Sequence, residues 1–269
     1  MSRFLSQSDT SEISDFLSAP RLGTFQALTR QKTPEDAIEL HQATMNLGVS
    51  IMAVTGLIEV AVRNSACNTL NDAFQVTDWL TNPPTSLNWS AIEKSSIKKA
   101  AKNAQRAKYS KLSGPEKTAL DSAAFPNGRP QGIKHRKVAE KRQSTIAVSE
   151  GEIIAQLTMH FWKRLFSENY EDTLWRRGLK RVFPNKNLSR ALIAKELEVI
   201  YQTRNRLAHH EPVYGGRLSD TLFAIDFVSK NLGSRVASTE SPFYKLVLPQ
   251  LDILEGQVAI FRSTFVRLS

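Results

Sequence analysis

One cysteine, Cys67, occurs in 269 residues, so no intrachain disulfide can form. No Cys/His cluster has the spacing of a zinc site, and no carboxylate group suits a pair of metal ions. No metal and no cofactor is therefore expected. Cys67 lies in a helical setting and reads as a small core side chain rather than a nucleophile. The N-terminus, MSRFLSQSDTSE, has no apolar signal region. The longest apolar segment, Leu47–Val62, contains Ser50, Thr55, Gly56 and Glu59 and is short for a bilayer span. Internal repeats, low-complexity tracts and strand-like stretches are all missing. From these absences a reduced, cytoplasmic, soluble, all-α protein is expected. With 41% hydrophobic and 23% charged residues, the chain can bury an ordinary core.

Acids are the scarcer charge: 26 Asp and Glu face 36 Lys and Arg, a net of +10. The excess is concentrated. Between Lys94 and Arg142, fourteen Lys and Arg meet only Glu116, Asp121 and Glu140, a local net of +11. Such density points to a polyanion partner, with Lys98, Lys99, Lys102, Arg106, Arg136 and Lys137 as candidate phosphate contacts. A membrane surface fits less well, because the segment has no aromatic-rich apolar face.

In chain order, Ser8–Leu17 reads as a short helix, interrupted at Ala19-Pro20 and followed by an irregular stretch over Arg21–Leu28. Thr33-Pro34-Glu35-Asp36 is a strong helix start: a capping Thr, Pro in the first turn and two acids at the positive end of the dipole. That helix can run to about Phe74, with Leu47, Ile51, Val54, Ile58 and Ala61 on one stripe, and is expected at the centre of a bundle. Thr81-Asn82-Pro83-Pro84 breaks the chain. A basic helix over Ser90–Leu112, a short helix ending at Ala124 and a Pro/Gly-rich loop then form an inserted arm. Ser149-Glu150-Gly151-Glu152 is a capping box that opens a helix bearing Ile153, Leu157, Phe161 and Leu165. Amphipathic helices over Arg217–Leu232 and Pro242–Leu268 close the chain. The expected division is N-terminal bundle helices over 1–81, a basic insertion over 82–145 and C-terminal helices over 146–269.

The stretch that carries chemistry is Tyr201-Gln202-Thr203-Arg204-Asn205-Arg206-Leu207-Ala208-His209-His210-Glu211-Pro212. It closes a helix beginning near Ser189, and Pro212 cannot continue it. Ile193, Leu197, Ile200, Arg204 and Leu207 share one stripe, which puts a guanidinium where a core residue is expected. A charge there needs a partner or a phosphate. Asn205 and His209 share the polar face, and an imidazole there can donate or accept a proton. Glu59 and Arg63 lie four apart on the long helix. They form either a surface ion pair or a support in which Glu59 holds one of the arginines, Arg63 or Arg204. Arg176, Arg177, Lys180 and Arg181 precede the motif helix as a cationic ridge suited to positioning phosphate.

RNRLAHHEP resembles the arginine–histidine motif of the HEPN superfamily, and specifically the abortive-infection (Abi) proteins of the D/F type. FLSAPRLGTFQAL at Phe16–Leu28, LIEVAVRN at Leu57–Asn64 and FW…YEDTLWRRGLKRVFPN from Phe161 to Asn185 resemble the same family, in the same order. The similarity covers most of the chain, least well from about Asn82 to Thr145. It implies a HEPN-like helical bundle, metal-independent RNA cleavage in phage defence, and a homodimer whose paired motifs build a composite site. Arg204, Asn205 and His209 match the motif position by position, with His210 as a further candidate.

Three functions fit the sequence: a ribonuclease toxin, an RNA-binding protein with a silent site held by a structured noncoding RNA, and a purely structural module. In the first, the 2′-OH of RNA is the nucleophile, His209 moves a proton and Arg204 neutralises the phosphate, with Asn205 orienting either group. Arg204 and His209 sit about 140° apart on an ideal helix, which favours a site shared across a dimer.

Overall fold

The structure is a computed structural model that describes residues 5–269. Among the described residues all regular structure is helical. In chain order the α-helices are α1 (Gln7–Leu17), α2 (Ala19–Gln26), α3 (Pro34–Phe74), α4 (Ala91–Lys111), α5 (Gly114–Ala119) and α6 (Asp121–Ala124). They continue with α7 (His135–Ser144), α8 (Glu150–Ile154), α9 (Met159–Arg164), α10 (Arg190–Ala208), α11 (Gly215–Asn231) and α12 (Pro242–Leu268). A 3-10 turn at Glu168–Tyr170, a π-helical turn at Glu171–Trp175 and a 3-10 turn at Leu179–Val182 lie between α9 and α10.

The chain forms two compact units, one from residues up to Ser65 together with Arg181–Ser269, the other from Ala66–Lys180. The basic stretch over 82–145 falls in the second unit, which extends well beyond it on both sides. α3 passes from the first unit into the second.

In the first unit α3 presents Leu47, Ile51, Val54, Ile58 and Val62, all fully buried or nearly so. Ile193, Leu197 and Ile200 of α10 are equally buried, as are Leu218, Ala224, Ile225 and Val228 of α11 and Val247, Leu254 and Phe261 of α12. Each buried Leu, Ile or Val contributes about 1.5–3 kcal/mol. By length and composition alone α3 could cross a membrane. The same features mark the central helix of a bundle, and its heavily buried stripe has that pattern. The segment expected to be irregular over Arg21–Leu28 is helical instead: Pro20 occupies the first turn of α2, where a missing N–H costs nothing, and Leu22 and Phe25 are buried.

In the second unit Ser90 Oγ accepts from Ile92 N at 3.3 Å to start α4, and Ala100 and Ala104 turn inward against α7 and α8. The anchor is Glu93. Its fully buried carboxylate accepts from Ser90 Oγ, Arg164 Nε and, at 2.6 Å, Tyr170 Oη. Burial alone would raise its pKa, but the Arg164, Ser90 and Tyr170 hydrogen bonds outweigh that and hold it at about 2. Trp89 packs against Trp79, Phe161 and Tyr170 with ring centroids 6.0, 5.8 and 5.6 Å away. Glu150 receives Leu80 N and Thr81 Oγ1, both at 2.7 Å. The helix expected from Ser149 onward is broken: α8 ends at Ile154, and Thr158 in extended conformation restarts the chain as α9. Ile153, Leu157, Phe161 and Leu165 are buried even so, which is why the apolar spacing reads as one helix.

Candidate functional site

α10 opens as its sequence dictates. Ser189 Oγ accepts from Leu192 N at 3.1 Å, and the helix runs to Ala208. Its end is set by His210 rather than by Pro212. His210 takes a left-handed backbone with φ 56°, its N–H reaches Leu207 O at 2.9 Å, and Glu211 N reaches Arg206 O at 2.8 Å. That is the Schellman ending, in a position usually held by glycine. His209 becomes the capping residue, and both histidines are exposed.

Arg204 has its carboxylate. Its guanidinium Nη2 lies 2.9 Å from Glu59 Oε2, with the two side chains 32% and 13% exposed. Of the two arginines Glu59 could hold, it is thus Arg204, while Arg63 Nε donates to Asn64 Oδ1 at 3.3 Å. Arg206 pairs with Glu211 at 3.0 Å across the helix end. Asn205 is half-buried, and Gln202 donates to Glu198 at 2.6 Å. α10 is fixed about its axis by a hydroxyl pair, Thr203 Oγ1 and Thr221 Oγ1, 2.8 Å apart and buried.

His210 borders two cavities. One, of about 470 Å³, is also lined by Arg21, His41, Ser18 and Met45. The other, of about 300 Å³, is apolar, with Phe25, Met45, Val49, Met52 and Leu207 in its wall. His41 is only 8% exposed, and its ring meets Phe25 edge-on with centroids 5.1 Å apart. Burial lowers its pKa, and the charge of Arg21 lowers it further, so the imidazole is neutral at neutral pH. The sequence alone points to neither Arg21 nor His41. The available signal was a histidine on an apolar helical stripe, between Ala37 and Leu40 on one side and Thr44 on the other.

Comparison of the chain with family models, curated proteins and solved structures gave no match. Among the described residues no group of three or more His, Cys, Asp or Glu is placed to hold a metal ion.

The second unit carries the basic surface. Lys98, Lys99, Lys102 and Arg106 are exposed along α4, and Arg136 and Lys137 are exposed on α7. Lys102, Gln105, Lys137, Lys141, Gln143 and Ser144 line a groove of about 490 Å³ between those helices, which adds Lys141 to the residues expected. Three cations of the stretch, the exposed Arg136 among them, are paired with acids. Arg142 grips Asp121 through two hydrogen bonds of 2.6 and 2.7 Å, Lys108 sits 2.9 Å from Glu152, and Arg136 pairs with Glu140 at 2.8 Å. The ridge before α10 is less uniform than its sequence implies. Arg176, Arg177, Lys180 and Arg181 are all exposed, and Arg176 lies 2.8 Å from Asp172 and 3.7 Å from Glu171. Arg181 already belongs to the first unit.

Proposed function

We propose that this protein is an RNA-binding, metal-independent endoribonuclease of the abortive-infection type, with a HEPN-like bundle, acting as a toxin in phage defence. The observation that carries the reading is the end of α10, where Arg204, Asn205, His209 and His210 follow one another and the left-handed turn holds both histidines at the surface. An imidazole there can exchange a proton with the 2′-OH of RNA or with the leaving 5′-oxygen. The groove between α4 and α7 supports it, since Lys102, Lys137 and Lys141 offer three cations to a phosphate backbone.

A second reading rests on the Glu59–Arg204 pair. A guanidinium already neutralised at 2.9 Å gives up a partner to meet a phosphate, as expected of an RNA-binding protein whose site is silent and which holds a structured noncoding RNA. The two readings part on the RNA that copurifies, sequenced with its ends intact. Heterogeneous fragments ending in 2′,3′-cyclic phosphate support cleavage. A single uncut species supports binding only.

A homodimer belongs to this proposal. Leu246, Ile253 and Ile260 recur every seventh residue on α12 and are 60%, 59% and 53% exposed, the spacing of a seam between two helices. Mass measured after nuclease treatment tests it, and Ile253→Asp should return a dimer to monomer.

A further inference from the structure

We propose that the proton transfers of RNA cleavage are carried by His41 and His210, which line one cavity, with Arg21 as the phosphate clamp. The inference rests on the ribonuclease reading and names the residues that perform it. Three separate elements bring them together: Arg21 from α2, His41 from the first part of α3, and His210 from the turn that ends α10. All three line the cavity of about 470 Å³. Two of the chain's five histidines therefore border one cavity beside an arginine although 169 positions separate them in sequence.

Each group is held in a way that suits its part. His41 is clamped by the edge contact with Phe25 at 5.1 Å, and burial beside Arg21 keeps it unprotonated and able to accept. His210 is exposed and fixed by the two backbone hydrogen bonds of the Schellman turn, at a φ of 56° that histidine adopts only at a cost. Met45 and His210 border both this cavity and the apolar one, so a nucleobase has a wall to lie against while its phosphate meets Arg21. Arg204, by contrast, is tied to Glu59.

The step balances. His41 takes the proton of the 2′-OH, and O2′ bonds to the adjacent phosphorus. The P–O5′ bond breaks, and O5′ takes a proton from the His210 imidazolium. The products are a 2′,3′-cyclic phosphate and a 5′-hydroxyl, and exchange with water restores both rings. Arg21 faces the non-bridging oxygens as their charge grows.

The test uses the full-length protein, a short RNA and the same RNA with 2′-deoxy at the cleaved position. His41→Asn and His210→Gly are each expected to lose roughly 100-fold or more in cleavage rate while binding the deoxy strand as the parent does, and Arg21→Gln to lose as much in rate and to bind that strand more weakly. The His41→Asn/His210→Gly double variant should be no slower than the slower single one, because the two act as a unit. Should His41→Asn not fold, His210→Gly and Arg21→Gln decide alone, since glycine suits the left-handed turn. Normal cleavage by His210→Gly and Arg21→Gln would overturn the inference and leave the ribonuclease reading standing. A parent protein that cuts no RNA overturns both.

Discussion

Replacing His210 by glycine should make the protein more stable, which is unusual for a substitution at a reacting position. A side chain at φ 56° costs about 1 kcal/mol or more that glycine does not. Glycine's greater freedom in the unfolded chain takes back about 0.5 kcal/mol. His210 is exposed, so little packing is lost with its ring. The net is about 0.5–1 kcal/mol in favour of His210→Gly, or a rise in Tm of roughly 1–4 °C for a chain of this size. His210→Ala is the informative comparator, because it removes the imidazole and keeps the Cβ. Glycine should exceed alanine by about 1 kcal/mol, roughly a factor of five in the folding equilibrium. Urea unfolding followed by helical circular dichroism, with the three midpoints on one scale, measures it. If alanine matches or exceeds glycine, the turn is not strained and the argument from its geometry fails. If glycine stabilises and cleavage is also lost, stability has been given up for activity at this position.

Arg204→Ala should destabilise by about 1–3 kcal/mol because it leaves the part-buried Glu59 carboxylate without its partner, and Glu59→Gln in the same chain should recover much of that in a thermal melt. Loss of activity in Arg204→Ala alone is therefore not a reading of chemistry. Lys102→Gln, Lys137→Gln and Lys141→Gln together should lower the slope of log affinity against log salt by about 2–3 in an RNA titration, and an unchanged slope would make the groove a solubilising face. Glu93 should dominate acid unfolding. Its folded pKa of about 2 lies below the usual 4.5, so its contribution is complete above pH 4.5 and is lost as pH falls toward 2. Glu93→Gln should unfold more readily at neutral pH and show a flatter profile below pH 4.5. His41 acts at higher pH: its lowered pKa stabilises the fold above the ordinary histidine value and that contribution fades on acidification, which His41→Asn should abolish in a pH series of urea midpoints.

Much of the fold was legible because its signals are local. Ser90, Ser149, Ser189 and Ser241 each accept the backbone N–H that their sequence positions imply, and the stripe Leu47, Ile51, Val54, Ile58 is the buried face of α3. Local rules also misled where two readings shared one signal. A proline can end a helix or begin one, and Pro20 begins α2. An apolar repeat survives a break when the two pieces keep facing one core, as α8 and α9 do. What stayed hidden depends on partners distant in sequence. Nothing near Glu93 announces Arg164, 71 positions on, and nothing near His41 announces His210. The motif at the end of α10 was readable as residue types, but not the conformation of His210, because histidine is a rare choice for a left-handed ending.

The hydroxyl pair between α10 and α11 carries a consequence for descent. Thr221 donates its only proton to Arg217 O at 2.8 Å, so Thr203 must donate to Thr221. Valine at position 221 alone would strand a buried donor at Thr203. Valine at position 203 alone would leave Thr221 half-satisfied, and valine at both would be nearly neutral. A lineage can cross from the threonine pair to the valine pair only through a weakened ancestor. In related chains the two positions should therefore change together or not at all, and the rotation of α10 that aims His209 and His210 should be inherited with them.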